Sequence, residues 1–120
     1  MRPLQIREEG DILLMKIVDS AALNEGQALG LRQAFGSAIE GDGPPLVAMD
    51  LSAIDYISST GIAFLIGSKR RIEARQGHLV LFGLLPDVLE IFAVMKLVNI
   101  FEIADDEARA VGLLPPSPSH

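Results

Sequence analysis

The segment from Leu46 to Ile62 restricts the chain most. Leu46-Val47-Ala48-Met49 has no polar alternation, so it reads as a central strand covered on both faces. Asp50 ends the strand, and beyond Ser58-Ser59-Thr60-Gly61 runs a helix with Ile62, Leu65, Ile66 and Ile72 at inward spacing. A helix start leaves backbone N–H groups unpaired and takes a side-chain oxygen as cap. One hydroxyl is enough for that. Three in a row before a glycine put a knob of hydroxyls at the positive end of a helix dipole, where a phosphate is favourably held.

The flanking sequence extends the same alternation. Leu4 to Glu8 and Ile12 to Val18 read as strands joined by Gly10-Asp11, a hairpin. Asp19-Ser20 breaks the pattern, and a helix is expected from about Asn24 to Glu40, with Ala28, Leu31, Phe35, Ala38 and Ile39 on one face. Gly41-Asp42-Gly43-Pro44-Pro45 ends it. After the Gly61 helix, Gln76-Gly77 reads as a C-cap and His78 to Phe82 as a second buried strand. Pro86 opens a helix with Val88, Leu89, Phe92 and Met95 inward. Ile100 to Ile103 is a short strand, and Asp105 caps a last helix through about Val111. The order is ββαβαβαβα: one α/β domain over residues 1–112, with a mostly parallel sheet, an N-terminal antiparallel hairpin and helices packed on the sheet. Residues 113–120, which include Pro115-Pro116-Ser117-Pro118, are expected to form a flexible tail.

Composition removes whole classes of function. At 120 residues and 49% hydrophobic content the chain can bury one core. A net charge of −6 opposes a nucleic-acid surface as the main partner. The absence of cysteine excludes disulfides, thiolate catalysis and cysteine-ligated metals. Met1 to Gln5 has no signal-peptide core, and Pro86, Asp87, Glu90 and Lys96 interrupt the longest apolar region, so membrane insertion is not expected and a cytoplasmic protein is. His78 has no second histidine near it except His120, so no metal site is expected, nor any cofactor. Gly41-Asp42-Gly43 lacks the Lys-Ser/Thr of a phosphate loop, and Ser59 has neither a nucleophile elbow nor a histidine base. The chain does not read as an enzyme.

The stretch Asp50-Leu51-Ser52-Ala53-Ile54-Asp55-Tyr56-Ile57-Ser58-Ser59-Thr60-Gly61-Ile62 resembles the motif Asp-Leu-Ser-x-x-x-[Phe/Tyr]-[Met/Ile]-Asp-Ser-[Ser/Thr]-Gly-[Leu/Ile] of the bacterial anti-sigma-factor antagonists, the stand-alone STAS domains. The order of elements from about Leu4 to Val111 is similar too, as are His78-Leu79-Val80-Leu81-Phe82 and Val88-Leu89-Glu90-Ile91-Phe92. Two positions depart: Ser58 stands where the motif has Asp, and Val18-Asp19-Ser20-Ala21 replaces a Gly-Glu-[Leu/Ile]-Asp pattern. The resemblance implies that Ser59 is a phosphoacceptor, with Ser58 and Thr60 as alternates. It implies binding of an anti-sigma factor with serine-kinase activity in the unphosphorylated form, release on phosphorylation, and resetting by a PP2C-type phosphatase.

Asp19, Asn24, Ser58, Ser59, Thr60, Gly61 and Phe64 form the expected partner surface. Phe64 is placed off the inward stripe as an exposed anchor; the competing reading is that a neighbouring helix covers it. Asp19 and Asn24 also suit plain loop and cap roles, and Ser58 or Ser59 suits a simple helix cap. Lys69, Arg70, Arg71 and Arg75 are candidates to bind phosphate or an acidic partner, and a solvated helix C-terminus is the better account of them. Two alternatives stand beside the switch: an accessory subunit of a transporter or stress-sensing complex without phosphorylation, and a small-ligand or nucleotide-binding domain using the helix end at Ser59-Thr60-Gly61.

Overall fold

The structure, a computed structural model, describes residues 2–25 and 28–115. Five strands form one sheet in sequence order: β1 (Leu4–Glu9), β2 (Ile12–Ile17), β3 (Leu46–Asp50), β4 (His78–Phe82) and β5 (Glu102–Ala104). The β1–β2 pair is antiparallel, turning at Gly10 with φ +59°, and every later pair is parallel. Strand β1 buries only Leu4 and faces solvent with Arg7, Glu8 and Glu9, charges that blunt an open sheet edge.

The expected helix from Asn24 to Glu40 is two helices, α1 (Ser20–Asn24) and α2 (Ala28–Ala38). Asp19 caps α1 by accepting from the Ala22 N–H, so the helix begins earlier than apolar spacing implies, and Asn24 closes α1 rather than opening a helix. Leu31, Phe35 and Ile39 are buried as the spacing predicts; the side chain of Ala28 lies outside the described residues. Helix α3 spans Ser59–Ala74, α4 spans Pro86–Val94, a single 3₁₀ turn covers Leu97–Asn99, and α5 spans Glu107–Leu113. Asp106, not Asp105, caps α5. The last strand begins two residues beyond the expected start, after Leu97 has turned inward in the 3₁₀ segment.

Helices α1 to α4 cover one face of the sheet, on Met15, Ile17, Val47, Met49, Leu79 and Leu81. Among the described residues only α5 covers the other, against Ala48, Val80 and Phe82. Leu114 is buried on that second face, which anchors the chain beyond the expected tail boundary; residues 116–120 lie outside the described residues. Helix α4 is buried less than expected. Val88 and Phe92 are enclosed, whereas Leu89 and Met95 are 41% and 52% exposed, because α4 meets the core along a single ridge.

The end of α3 shows why particular residues stand where they do. Gln76 takes the left-handed conformation, φ 62°, and the Gln76 and Gly77 N–H groups close back on the Glu73 and Ile72 carbonyls. Glycine is kept for the next position because a Cβ on Gly77 would lie 2.2 Å from the Pro45 carbonyl oxygen, the acceptor of the His78 N–H that starts β4. Gly77→Ala is therefore expected to destabilise the fold by about 2 to 3 kcal/mol. Gly30→Ala, in the first turn of α2 with nothing within 4 Å of the new methyl, is expected to stabilise it by about 0.5 kcal/mol. Urea midpoints at unchanged m-value check both.

Candidate functional site

Parallel strands point their C-terminal ends the same way, so the segments after β2 (Val18–Asp19) and β3 (Leu51–Ser58) emerge together. The second segment leaves the sheet in a fixed shape. Asp50 Oδ1 accepts from the Ser52 N–H at 2.8 Å, the Leu51 N–H donates to the Phe82 carbonyl at 3.0 Å, and Ile54 and Ile57 are buried as anchors.

Asn24 ties the two segments together. Its side chain lies at the end of α1, 7% exposed, between the strand-to-helix loop and the first turn of α3. Nδ2 donates to the Tyr56 carbonyl at 2.8 Å and to the Ser20 carbonyl at 3.0 Å, while Oδ1 accepts from the Ser58 N–H at 2.7 Å. Two further links run parallel to it. The Ser20 hydroxyl donates to Asp55 Oδ1 at 2.5 Å and accepts from the Asp55 N–H at 2.8 Å, and Tyr56 donates its phenol hydrogen to the Glu25 carboxylate. No buried side-chain polar atom lacks a partner among the described residues, so the loop is satisfied as well as crossed by bonds.

This framework gives the three hydroxyls different work. Ser58 is the N-cap of α3: its backbone is extended at φ −103°, and its Oγ accepts from the Gly61 N–H at 3.4 Å and lies 3.1 Å from Asn24 Oδ1. Ser59 and Thr60 occupy the first helical positions, and both are exposed. Among the described residues neither hydroxyl has a hydrogen-bond partner, so Ser59 presents an open Oγ beside the positive end of a helix running to Ala74. Gly61 permits the arrangement: a Cβ there would sit 2.3 Å from Asn24 Oδ1.

Of the expected partner surface, Asp19, Asn24 and Ser58 to Gly61 converge at this end of the sheet. Asp19, Ser59 and Thr60 are exposed; Asn24 and Gly61 are buried and shape the site from beneath. Phe64 is not the exposed anchor expected. It is 5% exposed and packs edge-on against Phe35 of α2, with ring centroids 5.8 Å apart. The inward face of α3 is thus rotated toward Phe64 and Leu65, leaving Ile62 and Ile66 half-buried, because α2 as well as the sheet lies against it. Ser20 and Asp55 escape sequence reasoning altogether. In the linear pattern Ser20 is only part of a break between elements, and no local spacing signals a bond across so long a sequence separation.

The basic run divides as well. Lys69 pairs with Glu73 at 2.6 Å, and Arg75 donates to the carbonyls of Ile39, Gly41 and Gly43 in the α2–β3 connection. Among the described residues no group of three His, Cys, Asp or Glu side chains is placed to hold a metal. No described helix is long and apolar enough to cross a membrane.

A five-stranded mixed sheet with a capped, hydroxyl-bearing helix start on a braced loop defines a small α/β domain. The family model of the STAS domain matches residues 4–110, and the chain belongs to the STAS domain family. It is 33% identical over 67 residues to the anti-sigma-B factor antagonist of Listeria monocytogenes, a match spanning 56% of this chain and 59% of that protein. The matched part is thus less than two thirds of that relative's length. Among solved structures it is similar to an anti-sigma-factor antagonist (STAS) domain protein from Planctomyces limnophilus, with a TM-score of 0.78, 20% identity, and 90% and 94% of the two chains covered. It is also similar to the Bacillus cell fate determinant SpoIIAA in its phosphorylated form, with a TM-score of 0.66, 18% identity, and 91% and 96% covered. Anti-sigma-factor antagonists of this family are regulatory binding proteins, not enzymes.

Truncating Asn24 leaves the Ser58 N–H and the Tyr56 carbonyl without partners. Asn24→Ala is expected to cost about 2 to 3 kcal/mol and to speed hydrogen exchange at the Ser58 amide. Asp19→Ala, which removes only a cap, is expected to cost about 1 kcal/mol. Denaturant unfolding with amide exchange by NMR separates the two: equal costs, or a still-protected Ser58 amide in Asn24→Ala, would contradict the bracing role.

Proposed function

We propose that this chain is an anti-sigma-factor antagonist of a partner-switching system, acting in the cytoplasm. Unphosphorylated, it binds an anti-sigma factor that is also a serine kinase, and so frees a sigma factor. The kinase transfers the γ-phosphoryl group of ATP to Ser59 Oγ, the Ser59 proton leaves, and the complex separates. A PP2C-type phosphatase hydrolyses the phosphoester and restores binding. The chain itself carries no cofactor in this scheme.

One observation supports this reading above the others. Ser58 occupies the capping role that would otherwise account for a hydroxyl at this helix start, and Ser59 is left exposed beside it. Capping therefore explains Ser58 and leaves Ser59 without a structural task. The same geometry indicates how phosphate acts. It adds roughly −1.5 to −2 charges at neutral pH, and at a helix N-terminus that is locally favourable by about 0.3 to 1 kcal/mol. Enclosing an unpaired dianion in a docked interface costs several kcal/mol instead. A loss of ~3 kcal/mol already weakens binding about a hundredfold. The interface effect is the larger, so release proceeds by blocking the partner while the fold persists.

Incubation with the cognate kinase and ATP, followed by mass spectrometry of the peptide spanning Ser58 to Thr60, is expected to place the phosphate on Ser59. Ser59→Ala is expected to abolish modification and keep partner binding, and Ser59→Asp to weaken binding at least a hundredfold with amide shifts confined to the start of α3. Modification of Ser58 alone, or shifts spread through the core of Ser59→Asp, would overturn the mechanism.

A further inference from the structure

The side of α3 next to the switch carries a feature that a phosphoacceptor does not require. Along α3 runs a shallow groove lined by Ala63, Phe64 and Gly67, with hollows of about 280 and 400 Å³ that share Arg32 of α2 in their walls. Thr60 stands at one end, and Arg70 and Arg71 at the other. Arg71 is set in place by packing. Its guanidinium lies 5.7 Å from the centre of the Phe35 ring, and a Cβ on Gly36 would come within 2.5 Å of its Nη2. Among the described residues no carboxylate lies within ion-pair distance of Arg32, Arg70 or Arg71. The chain has 16 acidic residues and a net charge of −6, and it gives the neighbouring Lys69 and Arg75 partners of their own. Three exposed guanidinium groups without an ion-pair partner among the described residues, with only Glu40 sharing a hollow with Arg32 and Arg71, are a local concentration of positive charge on so acidic a protein.

We propose that this groove docks an acidic amphipathic helix of a protein partner. An apolar strip along one helix, with Arg32 of its neighbour beside it, accepts a further helix laid along it, and the arginine fork suits carboxylates presented from its flanks. The small residues Ala63 and Gly67, one turn apart on α3, allow a close approach. A nucleic acid fits the groove poorly, because the net charge repels a polyanion and the floor is apolar. Continuity with the switch follows from position: Thr60, adjacent to Ser59, lines the same hollow as Arg32. On the function proposed above, a phosphate on Ser59 competes for Arg32 and repels the acidic helix, which gives release a second cause beyond the blocked hydroxyl.

The test titrates the full chain with a synthetic helical peptide bearing glutamates on its flanks and alanine and leucine on the face between them, alongside its glutamine counterpart, followed by amide NMR. The expected result is shifts at Arg32, Ala63, Gly67 and Arg71, with binding about tenfold weaker for the glutamine peptide and for the Arg32→Glu/Arg70→Glu double variant. Both arginines are exposed, so an unchanged spectrum outside the groove verifies the variant's fold. Equal affinity for the two peptides, shifts centred on α4 instead, or preferential binding of a DNA duplex used as the competing probe overturns the proposal. The measurement uses unphosphorylated protein and no kinase, so it stands or falls independently of modification at Ser59.

Discussion

Asn24 carries the geometry on which the rest of this site depends. A primary amide has a donor end and an acceptor end, and here each end meets backbone of the loop that succeeds β3: Nδ2 at the Tyr56 carbonyl, Oδ1 at the Ser58 N–H. The bonds are largely shielded from water, where an unmade partner is expensive and a made one is directional. Fixing the Ser58 backbone in the extended conformation sets where α3 starts. That in turn decides which hydroxyl caps the helix and which one faces solvent. The site's chemistry is therefore a consequence of helix register, and the register is held by one side chain from a different element.

The two positions that depart from the motif gain a physical account on this basis. A serine at 58 brings both a donor and an acceptor to the same spot: its hydroxyl lies 3.1 Å from Asn24 Oδ1 while accepting from the Gly61 N–H. A carboxylate there would supply acceptors only, facing an amide oxygen already held in place by the loop. Likewise, Asp19-Ser20 divides two duties after β2. Asp19 caps α1, and Ser20 clasps Asp55 on the opposing loop. Each departure from the motif answers to a contact made within this chain.

How much the linear pattern makes legible depends on how far each signal reaches. The order of elements, the hairpin and the buried strand Leu46–Asp50 are local matters of periodicity, caps and turns, and they stand as read, while α3 starts at Ser59, two residues before the Gly61 that apolar spacing points to. Phe64 is misplaced by spacing because a helical wheel distinguishes one buried face, whereas α3 has two neighbours, the sheet and α2. Leu89 and Met95 fail for the opposite reason: α4 has apolar residues all round but buries only the ridge at Val88 and Phe92. The short α1 merges with α2 in the sequence pattern because five residues offer too little periodicity to mark a separate helix. Asn24 reads as a plain loop or cap residue and Ser20 as part of a break because Tyr56, Ser58 and Asp55, which they bond, lie more than thirty residues away, and polar pairing across that distance leaves no trace in spacing.

The division of labour among the basic residues shows the same principle at the level of charge. Along the chain, Lys69, Arg70, Arg71 and Arg75 form a single run at a helix end, for which solvation and the dipole are explanation enough. Folding separates them onto different surfaces. Lys69 turns to Glu73, Arg75 reaches the carbonyls closing α2, and Arg71 lies across Phe35 next to Arg32 from another helix. Only the last arrangement joins charge to an apolar floor, and of its arginines Arg32 alone shares a hollow with Thr60, next to Ser59. On the proposed function, a phosphate at Ser59 would meet two electrostatic influences: the helix dipole, which welcomes it, and Arg32 across the adjoining hollow, whose charge it would offset. In that scheme the first would leave the fold indifferent to modification, and the second would make the neighbouring surface sensitive to it. A switch needs both, because a modification that weakens a contact is useful only when the protein carrying it remains intact to be reset.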